Sequence, residues 1–130
     1  MKVLFTGLGS IGQRHLRNLR ELLGDSVDVL AYRVRREVPM LNDRLQVVEG
    51  GSVKDKYGVA EFDDLDKALA EKPDIVFITN PTSMHMEVAR KSAEAGCHLF
   101  IEKPLGASSE GVEELVELVE MEVRELLDQY

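Results

Sequence analysis

A glycine-rich turn near the start of the chain constrains its fold more than any other feature. An apolar run at residues 3–5 leads into Gly7-Leu8-Gly9-Ser10-Ile11-Gly12, after which leucines recur at helical spacing, at positions 16, 19 and 23. A strand that ends in a Gly-x-Gly-x-x-Gly turn and continues as a helix directs free backbone N–H groups at one point, where a pyrophosphate can bind. The motif therefore predicts a dinucleotide site.

Each glycine of this turn has its own physical role in that interpretation. Gly7 permits the tight turn, Gly9 lets the phosphates approach the backbone, and Gly12 lets the helix pack against the strand. The amides of Ser10 and Ile11 lie at the start of the helix, so both residues are candidates for cofactor contact. The alternative is a glycine-rich turn that binds no ligand.

The composition is typical of a single globular domain and argues against a nucleic-acid-binding or membrane-spanning protein. The 130 residues suffice for one domain, and 44% hydrophobic with 31% charged residues is ordinary for a globular protein. The net charge of -8 argues against a nucleic-acid partner, and the excess of acid lies beyond residue 109. No segment approaches the roughly 18 apolar residues of a membrane span.

Cysteine and histidine usage points to a reducing compartment and to no metal site. Cys97 is the single cysteine, which excludes an internal disulfide framework, so we expect a cytoplasmic protein in which Cys97 is a buried apolar residue. The three histidines are dispersed along the chain, and no second cysteine is available to complete a metal site.

Further along the chain, strand patterns alternate with helix patterns. The expected strands are 27–32, 59–62, 74–79 and 97–101; the expected helices are 64–71, capped near Asp63 or Asp64, 81–95, and a final one capped by Ser108 or Ser109. Residues 37–58 are polar and irregular. We therefore predict an α/β protein with a Rossmann-type doubly wound parallel sheet, strand order 3-2-1-4-5 and helices on both faces.

In such a sheet the ligand lies beyond the carboxyl ends of the strands, at the switch point between strands 1 and 4. Four loops should meet there: 7–12, 32–36, 80–85 and 102–106. Their sequences include GLGSIGQRH at 7–15, ITNPTSMH at 78–85 and EAGCHLFIEKPL at 94–105. Together these motifs resemble the N-terminal domain of the Gfo/Idh/MocA oxidoreductases, the glucose-fructose oxidoreductase and inositol dehydrogenase group, from residue 2 to about 118.

The resemblance implies roles for particular residues. Lys103 of the Glu102-Lys103-Pro104 motif would lie near both nicotinamide and substrate and hydrogen-bond a substrate hydroxyl, and the bond before the proline is often cis in this family. The alternative is a solvated lysine in a turn. Asn80, Pro81 and Thr82 would lie along the nicotinamide ribose, although Thr82 can also be a simple helix cap. His85 matches a family histidine, and we assign it to packing or loop positioning.

The sequence departs from the usual NAD pattern at the end of the second strand. An acidic residue normally accepts hydrogen bonds from the adenosine ribose there, but this chain has Tyr32 and Arg33, followed by Arg35 and Arg36. Because guanidinium groups bind a 2'-phosphate in a forked geometry, NADP is the expected cofactor, with NAD as the alternative. Arg35 and Arg36 are equally well explained as solvated loop charges.

The resemblance also implies a second, substrate-binding domain, for which residues 1–130 offer no sequence. We expect the chain to be the cofactor-binding domain of an NADP-dependent oxidoreductase that acts on a sugar or polyol, unable by itself to turn over substrate. The alternatives are a nucleotide-binding or redox-sensing module without catalysis, and self-association without function. We also expect a homo-oligomer, because sheet and helix faces that a second domain would cover would otherwise leave an apolar patch in water. The last helix is a candidate contact, with an apolar stripe at 112, 115, 116, 119, 123, 126 and 127, although its acidic flank opposes close pairing at low salt.

Overall fold

A parallel sheet forms the centre of the molecule. The computed structural model describes residues 1–33 and 38–129, and of Glu122 and Leu126 it describes the backbone alone. Within those residues five strands form one sheet: β1 (Lys2–Phe5), β2 (Asp28–Tyr32), β3 (Val59–Phe62), β4 (Ile75–Ile78) and β5 (His98–Ile101). Their spatial order is β3-β2-β1-β4-β5, and each neighbouring pair is parallel, so the predicted Rossmann-type topology is confirmed.

Helices cover both faces of this sheet. They are α1 (Ser10–Leu23), α2 (Val53–Tyr57), α3 (Leu65–Ala70), α4 (His85–Glu94) and α5 (Val112–Leu127), with short 3₁₀ helices at Gly24–Ser26 and Thr82–Met84. Side chains of α1 and α2 share one apolar cluster with Val3 and Phe5, whereas α3, α4 and α5 share another with Leu4 and Val76. The alternation of side chains along each strand thus produces two cores, one on either side of the sheet.

Most predicted element boundaries agree with the structure to within one or two residues. Asp64 caps α3, since its carboxylate accepts a hydrogen bond from the Lys67 N–H at 2.9 Å, and this contact lowers the pKa of Asp64. The predicted start of the final helix was wrong: α5 begins at Val112, after Gly111 in the left-handed region at φ 75°. The stretch 37–58, predicted to be irregular, also contains α2.

The apolar residues of α5, which their spacing places in one stripe, differ in burial. Leu115 is buried and packs with α4 side chains in the second core, but Val116, Val119 and Val123 are exposed. Leu127 is exposed as well, at 67% of its surface. Among the described residues, no helix is both long and apolar enough to span a lipid bilayer.

Candidate cofactor-binding site

A cleft of about 550 Å³ opens at the carboxyl ends of β1, β2 and β4, where the strand order reverses. Its walls come from the turn after β1, the end of β2 and the loop after β4. The lining residues are Thr6, Gly7, Leu8, Gly9, Ser10, Ile11, Tyr32, Arg33, Val38, Thr79, Asn80, Pro81 and Met84. This is the position in which open α/β sheets bind their ligands.

The glycine turn of this cleft tolerates side chains at only some positions. A Cβ on Gly12 would lie 2.0 Å from the Gly7 carbonyl oxygen, and one on Gly7 would lie 2.9 Å from the Asn80 Cα. By contrast, no atom of the described residues lies within 4 Å of a Cβ built on Gly9. Gly7 and Gly12 are therefore needed for packing, whereas Gly9 leaves open space over the start of α1.

The N-terminus of α1 is free to receive an anion. Gly9 is the N-cap residue and brings no side chain, and the first turn of α1 contains no acidic residue. The backbone of the turn is held from behind by Thr79, whose Oγ1 donates a hydrogen bond of 2.6 Å to the Gly7 carbonyl. Unsatisfied N–H groups at a helix start attract negative charge, so this end of α1 suits a phosphate group.

Gln13 is a buried polar residue of the site that sequence patterns did not predict. Its amide nitrogen donates to the Leu8 carbonyl at 3.0 Å and to the Pro39 carbonyl at 2.9 Å, while its amide oxygen accepts from the Leu41 N–H at 2.7 Å. Gln13 thereby attaches the segment after residue 38 to the glycine turn. The sequence does contain one signal for this role: Gln13 is a polar residue that follows the last glycine of the motif, on the face of α1 that turns inward.

Asn80 has the clearest unsatisfied polar group on the wall of the cleft. Both its amide oxygen and its amide nitrogen are buried, and neither has a hydrogen-bond partner among the described residues. A buried amide without hydrogen-bond partners lowers the stability of the folded protein. A ligand that forms those hydrogen bonds removes this cost. The Asn80 side chain thus marks a place where a polar ligand fits.

His85 fastens the Asn80 loop to the loop after β5. The imidazole is buried, with Nε2 at 2.8 Å from the Asn80 carbonyl oxygen and Nδ1 at 3.1 Å from the Pro104 carbonyl oxygen. The ring therefore lies between two main-chain segments and does not line the cleft. The contacts of His85 therefore join the loop after β4 to the loop after β5.

Glu102 makes a second connection, between the loop after β5 and α1. Its Oε1 lies 2.6 Å from His15 Nε2, and the hydrogen bond from His15 lowers the pKa of the Glu102 carboxyl. The His15 ring also packs against Phe77 and Phe100, at centroid distances of 5.8 and 5.1 Å. Lys103 follows in an exposed position, and the Lys103–Pro104 peptide bond is cis.

At the opposite end of the cleft, Arg33 lies against a carboxylate. Its Nη1 donates a close hydrogen bond to Glu61 Oε1, and the Arg33 side chain is only 9% exposed. Tyr32 precedes it and is half-buried at the end of β2. Arg35 and Arg36, the two further candidates for phosphate contact, lie outside the described residues.

The structure brings eight of the predicted cofactor residues into the cleft wall: Gly7, Gly9, Ser10, Ile11, Tyr32, Arg33, Asn80 and Pro81. Five others are not among the residues that line the cleft: Gly12, Thr82, His85, Glu102 and Lys103. Thr82 faces a separate cavity between the start of α4 and the loop before α5. Thr79 and Met84 line the cleft and were missed, because their positions depend on how the loop after β4 packs onto the glycine turn.

The shape and donor set of this cleft fit a dinucleotide. The uncapped helix start and the open space over Gly9 suit the pyrophosphate, and the Asn80 amide suits a polar group further along the ligand. A family model described as an oxidoreductase family with an NAD-binding Rossmann fold matches residues 1–127. The chain belongs to the Gfo/Idh/MocA family.

Curated members of the Gfo/Idh/MocA family include relatives of known activity. The chain is 31% identical to 4-carboxy-2-hydroxymuconate-6-semialdehyde dehydrogenase of a Sphingobium species, over 83% of this chain and 31% of that protein. It is also 31% identical to myo-inositol 2-dehydrogenase of Thermotoga maritima, over 90% of this chain and 32% of that protein.

Among solved structures, scyllo-inositol dehydrogenase of Lactobacillus casei with bound NAD(H) and scyllo-inositol resembles this domain with a TM-score of 0.75. That match has 26% identity and covers 95% of this chain and 34% of the other. The chain thus spans about a third of the length of these Gfo/Idh/MocA relatives.

Proposed function

We propose that this chain binds a nicotinamide dinucleotide in the cleft and is the cofactor-binding domain of an oxidoreductase acting on a sugar or polyol. The observation that carries the proposal is the buried, unpartnered Asn80 amide on the same wall as the uncapped start of α1. The amides from Gly9 to Ile11 would hold the pyrophosphate, and Asn80 with Pro81 would border the nicotinamide ribose. When bound, the nicotinamide ring accepts or supplies a hydride.

The substrate class is supported by the names of relatives. Two of the proteins that the chain resembles act on inositols, and one acts on a semialdehyde. The exposed ammonium of Lys103 can hydrogen-bond a substrate hydroxyl or orient it electrostatically, and the neighbouring Glu102 carboxylate stays ionised because its pKa is lowered. In this proposal Lys103 is the catalytic residue of the chain.

The preferred cofactor in this proposal is NADP. Support comes from the end of β2, where Arg33 lines the cleft at the position in which NAD enzymes of this fold carry an acidic residue. A guanidinium at that place can bind a 2'-phosphate with two parallel hydrogen bonds, which a ribose hydroxyl cannot match. Arg33→Asp should therefore reverse the preference.

We also propose a homo-oligomer located in the cytoplasm. The exposed valines of α5 support self-association, since apolar side chains at regular helical spacing form a natural contact surface. The single, buried Cys97 supports a reducing compartment.

Calorimetric titration of the 130-residue chain with NADP and with NAD tests the binding proposal. We expect saturable binding of both, tighter for NADP, and a loss of at least about tenfold in affinity for Asn80→Leu, because the ligand then meets an apolar group. The matched control is Asn18→Leu, which replaces an exposed asparagine on α1. Absence of binding, or equal affinity loss in both variants, would contradict the proposal.

Turnover is tested separately from binding. We expect the 130-residue chain to show no saturable reduction of NADP with a panel of sugars and polyols, because rate enhancement requires substrate held in near-attack geometry and Lys103 alone offers a single anchor. Saturable reduction that Lys103→Ala abolishes would show instead that these 130 residues form a complete enzyme.

A further inference from the structure

Among the described residues, a partner of Arg33 comes from the neighbouring strand. Strands β2 and β3 run in parallel register, with Ala31 opposite Glu61 and Tyr32 opposite Phe62. This register places the Glu61 carboxylate beside the residue that follows β2, where it accepts the hydrogen bond from Arg33 Nη1. The side chains of Arg33 and Glu61 are 9% and 29% exposed, so solvent screens this pair only in part.

We propose that Glu61 is a specificity-determining residue that restrains the preference for NADP by competing with the 2'-phosphate for the Arg33 guanidinium. The inference deepens the proposed function and rests on dinucleotide binding in the cleft. A bound 2'-phosphate would share the Arg33 guanidinium with the Glu61 carboxylate or displace it, and would also bring a dianion close to the negative charge of Glu61. NAD lacks that phosphate, so its binding leaves the Arg33–Glu61 pair intact.

Because Glu61 would oppose the binding of NADP alone, its effect can be distinguished from that of residues that contact both cofactors. Loss of the carboxylate removes a competitor for NADP alone, whereas a change at Asn80 or Gly9 affects the parts that NADP and NAD share. The signature of the proposed role is therefore a change in the ratio of the two dissociation constants, with little change in the affinity for NAD.

Glu61→Gln is the direct test, because it keeps the size of the side chain and removes its charge. We expect the dissociation constant for NADP to fall about fivefold and that for NAD to change less than twofold, which corresponds to the usual strength of a partly exposed ion pair. Glu94→Gln is the matched control, since Glu94 pairs with Arg90 at 3.0 Å on α4. If Glu61→Gln does not fold, Glu61→Ala replaces it, with the same expected direction, because it also removes the carboxylate.

The same titrations in an Arg33→Ala background show whether Glu61 acts through Arg33. We expect most of the gain in NADP affinity from Glu61→Gln to vanish there, because without the Arg33 guanidinium the Glu61 carboxylate and the 2'-phosphate have no shared partner. An unchanged NADP-to-NAD ratio in Glu61→Gln, weaker NADP binding, or an equal gain without Arg33 would overturn the proposal. If the unaltered chain prefers NAD but Glu61→Gln still shifts the ratio toward NADP, the proposed cofactor preference fails and the role of Glu61 stands.

Discussion

At the scale of single residues, two glycines of the turn have different roles: Gly9 is expected to affect ligand binding, and Gly12 to affect packing. Gly9 has φ -68° and ψ -168°, a conformation open to any residue, and open space where its Cβ would point. We therefore expect Gly9→Ala to change the free energy of unfolding by less than about 1 kcal/mol while weakening dinucleotide binding at least about tenfold, since the methyl occupies the approach to the phosphates. Denaturant unfolding and calorimetry measure the two effects.

Gly12→Ala is the counterpart of that variant. Its methyl would meet the Gly7 carbonyl oxygen at 2.0 Å, so we expect a loss of about 3 kcal/mol in the free energy of unfolding. An alanine at position 12 that leaves stability unchanged would show that α1 can shift away from the turn, and would contradict the packing role given to Gly12.

The contact between His15 and Glu102 should be visible in the acid dependence of stability. Because the folded state lowers the pKa of Glu102, the contact contributes its full stability above the carboxyl's ordinary pKa and loses it as the pH falls through the lowered value. Glu102→Gln should therefore lower the melting temperature at pH 7, and this effect should shrink as the pH falls from the carboxyl's ordinary pKa through the lowered one. A difference in melting temperature that persists at low pH would argue against the ionic contribution.

Site residues could be predicted from the sequence where the ligand would be bound by the backbone. The glycines of the turn follow from the local geometry of a strand, a turn and a helix, so sequence spacing revealed them. Gln13 and Thr79 escaped because their importance lies in carbonyl groups that are distant in sequence: Pro39 is 26 positions from Gln13, and Gly7 is 72 from Thr79. Local patterns contain no information about such partners.

At the scale of elements, α5 shows how spacing can predict a helix without predicting its contacts. Leu115 is 4% exposed and Val116 51% exposed, although both belong to the apolar stripe of the sequence. We expect Leu115→Ala to lower the free energy of unfolding by about 2 to 4 kcal/mol and Val116→Ala by less than about 0.5 kcal/mol. Chemical denaturation of the two variants measures the difference, and equal losses would contradict the observed packing.

The other elements were predictable to the extent that their signals were local. Strands of a parallel sheet are short apolar runs, and β4 and β5 were found for that reason. Two side chains of β4 are fully buried, whereas His98 and Phe100 of the edge strand β5 are exposed. Helix α2 has only five residues, and its capping Ser52 follows two glycines in a polar stretch. So short a helix has too few turns to show a period of 3.6, and its stability comes from Val53 and Tyr57 packing under the sheet.

At the scale of the whole molecule, the exposed face of α5 determines the proposed association. Val116, Val119, Val123 and Leu127 are exposed at spacings of three and four, and acidic residues flank them. We expect light scattering to show a dimer whose stability rises with salt, because added ions screen the repulsion between two acidic helices. Val123→Asp should shift the protein toward monomer. A monomeric mass over a wide range of concentration and salt would refute self-association.

The pairing of β1 with β4 has a consequence for the order in which the molecule is assembled. Val3 lies beside Ile75, and the hydrogen bond from Thr79 to Gly7 joins residues 72 positions apart. A growing chain holds the whole glycine turn within its first dozen residues, yet the rear wall that supports the turn arrives only when β4 has been made and has closed a long loop. Cofactor capture would therefore report a late event of folding, after most of the sheet has formed.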